Sequence, residues 1–319
     1  MIRKVRLKTE EGQVVDAIAP VVITASRTTD VPAYYVPWFF RRLEKGYASW
    51  ISPYTRRPVY VSFEDVRVVV FWTKDPAPMM PFLSYLDERG IHYYFQYTLN
   101  DYRAEHIEPW KPTLDVRIGT FRELSEQIGR ARVIWRYDPI IFCRGTTAES
   151  TCQRIENIAR RLKGFTERLV ISFLDTGPRL ERRMRTRMPK LTVGYDYRKM
   201  RIVAQRLRAL QAEMETDECP FSISTCAEEI DLHHYGIAHG KCVDDQLMAR
   251  LWPDDPRLMD FLRRARKDKG QRRLCQCIES KDIGAMNTCP RGCLYCYATT
   301  DAQTLKHRVG HHDPRCEHI

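Results

Sequence analysis

Short runs of β-branched and aromatic residues recur along this chain, each followed by a longer stretch with helical spacing. The runs are VVITAS (21–26), VRVVVFWT (66–73), HYYFQYTL (92–99), RVIWRYD (132–138), RLVISFL (168–174), FSISTC (221–226) and DIGAMN (282–287), the last being the weakest on its own. Such runs, bounded by polar or turn-forming residues, read as strands. The helical stretches fall near 33–45, 78–89, 120–130, 149–163 and 198–215. Strand then helix, repeated, makes a parallel sheet, because each right-handed crossover returns the chain to the same edge. Seven or eight such units predict an α/β fold of the (β/α) TIM-like barrel type, complete or partial. With 319 residues and 43% hydrophobic content, the chain suffices for one such barrel. No repeat, low-complexity segment or linker divides it, so residues 1–319 read as a single domain.

Apolar residues give way to polar ones at the C-terminal edge of the runs. Ser26-Arg27-Thr28, Thr73-Lys74-Asp75, Gln96-Tyr97-Thr98, Arg136-Tyr137-Asp138 and Ser224-Thr225-Cys226 all show it. Active sites of (β/α) barrels form at that edge. Lys74, Arg136 and Asp138 are therefore candidates for substrate or cofactor contacts, with structural ion pairs at the rim as the competing explanation. Glu228 and Glu229 follow Cys226 at an expected helix start. A general acid/base role competes there with simple preference for the helix dipole.

The densest chemistry lies in DIGAMNTCPRGCLYCYA. It spaces Cys289, Cys293 and Cys296 as Cys-x-x-x-Cys-x-x-Cys, with Tyr295 before the last thiol. Three thiolates on one loop can hold three irons of a 4Fe–4S cluster and leave the fourth open to a substrate or cofactor. Zinc is the rival, but it draws its ligands from two short pairs, and the three-residue gap after Cys289 fits that poorly.

Cys226, Cys242 and the Cys-x-Cys pair Cys275 and Cys277 suggest a further metal site. Four thiolates suit a second, fully ligated 4Fe–4S cluster or structural zinc. Unrelated buried cysteines are the plain alternative. The cysteine-rich region thus spans 275–300. Cys143, Cys152 and Cys219 read as structural. His307, His311, His312, Cys316 and His318 sit in what reads as a frayed polar tail.

The cysteine loop resembles the cluster loop of radical SAM enzymes. The chain as a whole is similar to the family called domain of unknown function 1848. The segments carrying that likeness are ITASRTTDVPAYY, VFWTKDPAPM, ERLVISF, STCAEEIDL, YGIAHGKC and ESKDIGAMNTCPRGCLYCYA. The family is described as having a C-terminal cysteine cluster similar to that of radical SAM enzymes. No established reaction comes with it. The likeness implies a barrel, a 4Fe–4S cluster on Cys289, Cys293 and Cys296, and S-adenosylmethionine on the open iron. Reductive cleavage would give a 5′-deoxyadenosyl radical, with the electron supplied by a donor such as flavodoxin or ferredoxin.

Radical SAM barrels usually carry that loop after their first strand, whereas here it follows the last. This implies a circular permutation, with DIGAMN as the usual first strand and VVITAS as the next. By the same likeness Tyr295 lies near the adenine. Ser26, Arg27, Thr28 and Asp30 stand where other members carry Gly-Gly-Glu for the methionine amine. Arg27 suits a carboxylate and Asp30 an amine.

The formal net charge of +11 attracts anions, nucleic acid among them. Part of it lies in RLERRMRTRMPK (179–190), read as either a solvated loop or a lid over an anionic substrate. No nucleic-acid-binding motif accompanies it. MIRKVRLKTEEG lacks a signal peptide's apolar core, and no run reaches the roughly 18 residues of a membrane span. The expected setting is a reducing cytoplasm, where grouped cysteines bind metal. Two other functions fit the same features: a non-catalytic iron–sulfur electron-transfer or sensor protein, and a zinc-stabilised nucleic-acid-binding protein.

Overall fold

The computed structural model describes residues 2–52, 55, 57–109, 112–143, 146–175, 177–187 and 196–319. In chain order the strands are β1 (Arg3–Lys8), β2 (Val14–Ala19), β3 (Val22–Ala25), β4 (Tyr47–Ile51), β5 (Pro58–Ser62), β6 (Val68–Thr73), β7 (His92–Thr98), β8 (Val133–Ile140), β9 (Arg168–Phe173), β10 (Ser222–Thr225), β11 (Ala238–His239) and β12 (Lys281–Asp282). The α-helices are α1 (Val31–Tyr34), α2 (Val36–Lys45), α3 (Ser84–Glu88), α4 (Leu114–Ile128), α5 (Ala148–Leu162), α6 (Pro178–Arg187), α7 (Tyr197–Met214), α8 (Asp245–Leu251), α9 (Pro256–Arg264) and α10 (Ala302–Gly310).

The fold is mixed α/β around an eight-stranded sheet in the order β11-β10-β9-β8-β7-β6-β3-β12. Every neighbouring pair in it is parallel. Among the described residues no ladder joins β11 to β12, so the sheet is not closed by hydrogen bonds. Each apolar run read from the sequence supplies a strand. DIGAMN does so only at its start: Asp282, with Lys281 before it, pairs with Thr24 and Ile23, and Ile283 N–H donates to the Thr24 carbonyl (3.1 Å). That ladder sets the strand before the cysteine loop directly beside VVITAS.

Alternation along the strands divides the side chains between two cores. Phe71, Phe95, Trp135 and Ile171 face a core shared with Phe39 of α2, Phe121 of α4, Ile155 of α5 and Leu207 of α7. Val68, Val70, Tyr94, Ile134 and Val170 face the other way, onto Leu247 and Met248 of α8 and Leu258 of α9. These two helices close the N-terminal end of the sheet, and their caps anchor them there. Asp255, the N-cap of α9, accepts from Arg67 Nε (2.8 Å) just before β6 and lies 3.1 Å from His92 Nε2 at the start of β7. Asp244, the N-cap of α8, accepts from Arg168 Nη1 (2.6 Å) at the start of β9. The C-terminal end is left for the cavity described below.

Several helix expectations need correction. The stretch 33–45 is two helices, with Tyr35 between them and Pro32 and Pro37 in their first turns, where proline is tolerated. The stretch 78–89 is a short 3-10 turn, Met80–Phe82, followed by α3. The helix read as 120–130 starts at Leu114, because Thr113 caps it through Val116 N–H. The chain after Cys226 forms bends, so Glu228 and Glu229 do not begin a helix.

A second sheet, in the order β1-β2-β5-β4, was not anticipated. RKVRLK alternates charged and apolar residues, the pattern of a half-exposed antiparallel strand, and its basic residues mask it. Ala48 and Val61 of this sheet join the core beneath α2.

The tail is docked, contrary to the frayed end expected. Ser49 N–H donates to the Glu317 carbonyl (2.8 Å), and Trp38 Nε1 donates to that of Cys316 (3.0 Å). Backbone partners supplied by β4 and a tryptophan of α2 hold a polar segment that has no apolar pattern of its own. Among the described residues no helix is long and apolar enough to cross a membrane.

Lys281 places its ammonium 3.5 Å from the centre of the Trp50 ring. Burial pushes that group down to about 8, with Asp282 and Asp268 opposing. A folded value below the unfolded one means the unfolded chain binds the extra proton between about pH 8 and 10. Stability from this group is present above that window and lost as pH falls through it. Wild-type protein is thus expected to gain about 2 kcal/mol relative to Lys281→Met on going from about pH 7 to 10. Urea midpoints at the two pH values check it; equal shifts for both proteins would refute the assignment.

Candidate functional site

Strand residues of one parity point into a cavity of about 610 Å³ at the C-terminal end of the large sheet. Ser26, Trp72, Lys74, Arg136, Asp138 and Ser172 form its walls. The cysteine loop lies across it, with Cys289, Cys293, Tyr295 and Cys296 all lining the space. Cys226, Cys242, Cys275 and Cys277 line the same cavity. Both cysteine sets read from the sequence, separated along the chain, therefore meet in one place. Cys143, Cys152 and Cys219 are buried elsewhere, as expected of structural residues.

The loop is held by groups that its spacing does not reveal. Tyr295 donates its hydroxyl to Glu108, a nearly fully buried carboxylate that also accepts from Lys74 Nζ (2.7 Å) and Asn100 Nδ2 (3.0 Å). Burial opposes ionisation of Glu108, but Lys74 and these donors outweigh it and hold the carboxyl below its usual range. Lys74 Nζ also lies 5.6 Å from the centre of the Tyr295 ring. Leu294 N–H donates to the Ile107 carbonyl (3.0 Å). Arg291, on the loop between Cys289 and Cys293, pairs with Asp30 (3.1 Å).

Asp30 therefore acts as a strut. It also accepts from Thr73 Oγ1 (2.6 Å) and Lys74 N–H (3.0 Å), and so joins the ends of β3 and β6 to the loop. Burial raises its carboxyl, with Arg291 and Thr73 opposing. Arg27 lines the cavity, lies 5.2 Å over the Trp72 ring and pairs with Asp268 (3.7 Å). Ser26 Oγ donates to Asp282 (2.7 Å) and contacts Thr28 Oγ1 (3.0 Å). Ser26, Arg27, Thr28 and Asp30 thus all border the cavity, each already engaged with protein partners.

Asp282 locks the last strand to the first of the large sheet. It accepts from Thr24 Oγ1 (2.9 Å), Ser26 Oγ (2.7 Å), Arg27 N–H (2.8 Å) and Gly284 N–H (2.8 Å). The approach is so close that a Cβ on residue 284 would sit 2.0 Å from Ser26 Oγ. Gly284→Ala is expected to cost about 2 kcal/mol of stability by overpacking. A urea midpoint unchanged from wild type would contradict this contact.

Arg136 and Asp138 form an ion pair, with Arg136 Nε 3.1 Å from the carboxylate. Asp138 also accepts from Ser172. Glu228 is buried, accepts from Phe173 N–H (2.9 Å) and is raised to about 8 by that burial. Neither it nor the exposed Glu229 lines the cavity. The basic segment 179–190 is helical as far as Arg187, and residues 188–190 lie outside the described residues. Leu180 of α6 borders the cavity, and Arg183 donates to the carbonyls of Cys296 (2.5 Å) and Thr299 (2.5 Å). The helix therefore rests on the cysteine loop.

Burial pushes the Cys289 thiol up to about 12 and raises that of Cys293 as well. Such thiols ionise when a cation replaces the proton. Among the described residues no three or more His, Cys, Asp or Glu side chains are set to hold a metal ion in their present positions. The donor set itself is soft, sulfur-rich and gathered on one cavity, which suits iron–sulfur chemistry better than hard cations.

The class defined so far is an α/β protein with a parallel sheet and a thiol-lined cavity at its C-terminal edge. Residues 22–298 match the family described as domain of unknown function 1848, and the chain belongs to it. No curated protein and no solved structure matches the chain.

Proposed function

We propose that this protein is a radical SAM-type iron–sulfur enzyme. Cys289, Cys293 and Cys296 would hold a 4Fe–4S cluster, with S-adenosylmethionine in the cavity beside it. The observation that carries this reading is the gathering of these thiols and Tyr295 with the β3 edge in one cavity. Its volume of about 610 Å³ falls in the range of small-molecule sites. In this reading the sheet is a TIM-like barrel left open between β11 and β12. It is permuted, so that the strand preceding the cluster loop comes last and lies beside β3.

When bound and reduced by an external donor, the cluster would supply one electron to S-adenosylmethionine, breaking its S–C5′ bond to give methionine and a 5′-deoxyadenosyl radical. The chain's own residues do the rest. Glu108, Asn100 and Lys74 fix the Tyr295 hydroxyl, so its ring stands at a set position on the cavity wall. The Arg291–Asp30 pair pins the loop to β3, fixing the spacing of the thiols relative to Ser26 and Thr28. Arg183 of α6 holds the loop's far side by its carbonyls.

Reconstitution without oxygen, followed by counting of iron and acid-labile sulfide, tests the cluster. Iron and sulfide bound in equal amounts support it, and zinc without sulfide would refute it.

A further inference from the structure

The second set of thiols carries an observation that packing alone does not explain. Neutral thiols are weak hydrogen-bond acceptors. Here, however, strong donors point at sulfur. Arg136 Nη1 lies 2.8 Å from Cys242 Sγ. The backbone N–H groups of Cys242 and Val243 point at Cys277 Sγ, at 3.3 and 3.4 Å. Cys226 Sγ lies 3.5 Å from Cys242 Sγ. Cys277 is within side-chain hydrogen-bonding reach of both Cys242 and Cys275. Arg136 is 3% exposed, and its guanidinium donates to Asp138, to Gln96 Oε1 (3.2 Å) and to the Cys242 sulfur. Arg272 adds a further guanidinium, donating to the Cys226 carbonyl (3.4 Å).

We infer that Cys226, Cys242, Cys275 and Cys277 hold a second iron–sulfur cluster, ligated by all four thiolates, at the inner end of the cavity. The thiols come from the ends of β10 and β11 and from the loop before β12, so the folded sheet is what brings them together. Cys242, Cys275 and Cys277 sit in the core formed with α8 and α9, which keeps that side dry. Guanidinium and backbone N–H groups aimed at the sulfurs compensate the negative charge of such a cluster. With every iron bound by cysteine, this centre has no open position. Its existence does not rest on the S-adenosylmethionine reading.

The test uses the full chain carrying Cys289→Ala, Cys293→Ala and Cys296→Ala together, reconstituted anaerobically with ferrous iron and sulfide. This triple variant is expected to keep about four irons and four sulfides per chain. Adding Cys275→Ala and Cys277→Ala is expected to remove them. If the triple variant keeps the wild-type circular dichroism spectrum yet binds no iron, the inference is overturned. One zinc per chain without sulfide overturns it as well. Failure of the cleavage reading shows separately, as iron-loaded wild-type protein that forms no 5′-deoxyadenosine.

Discussion

Cys293→Ala is expected to abolish 5′-deoxyadenosine formation by the reduced protein and to remove about half of its iron. Cys293 is the middle thiol of its loop and lines the cavity. In the proposed site two thiolates would not fix a cluster with one open corner, and that corner is where the cofactor would bind. The loss should be complete, not graded, because no other group at that position can replace sulfur. Retained iron must then sit at Cys226, Cys242, Cys275 and Cys277, so the residual count also reports on the second centre. Nucleoside formation within tenfold of wild type would place the chemistry elsewhere. Circular dichroism separates cluster loss from unfolding, since the loop is also held by Glu108, Asp30 and Arg183.

Asp282→Ala should give the largest loss of stability among single polar substitutions at the site, about 3 kcal/mol. The carboxylate gathers Thr24, Ser26, the Arg27 N–H and the Gly284 N–H, and it alone carries this set of bonds between β3 and β12. Removing it leaves those donors facing one another in a partly buried space. Asp282→Asn keeps one acceptor oxygen and should lose roughly half as much. Denaturant midpoints of the two variants test this. Equal, small losses would mean that the two-residue ladder of β12, not the carboxylate, joins the strands.

Strands β3, β6, β7, β8 and β9 were legible because each is an apolar run largely buried on both faces, whereas β11 is a two-residue strand with no such run and was not read. The cysteine loop was legible because ligand spacing is local. The cavity's supports were not. Glu108 meets Tyr295 across 187 positions, and Asp282 meets Ser26 across 256. Neither carboxylate stands in a periodic pattern that would mark it. Arg291 lies inside the cysteine motif, yet its partner Asp30 read as a ligand for an amine, because nothing local shows that the chain already supplies the cation. The small sheet was missed because its first strand alternates lysine and arginine with apolar residues and so resembles a solvated segment. Helices α8 and α9 were missed because each is short. Their work is done by caps, Asp244 and Asp255, that reach the starts of strands far away in sequence. The neighbourhood of the last strand was only half visible: the order of elements suggested that it lies beside VVITAS, but the Lys281–Ile23 and Asp282–Thr24 register needed the fold.

The most direct test of the account is nucleoside formation by the wild-type chain. The protein would be reconstituted without oxygen, reduced with dithionite, given S-adenosylmethionine and assayed for 5′-deoxyadenosine by mass spectrometry. The nucleoside is expected to form in wild type and to be absent from Cys293→Ala. Wild-type protein that carries its full iron and sulfide, binds S-adenosylmethionine and still releases no nucleoside above the Cys293→Ala background would contradict it.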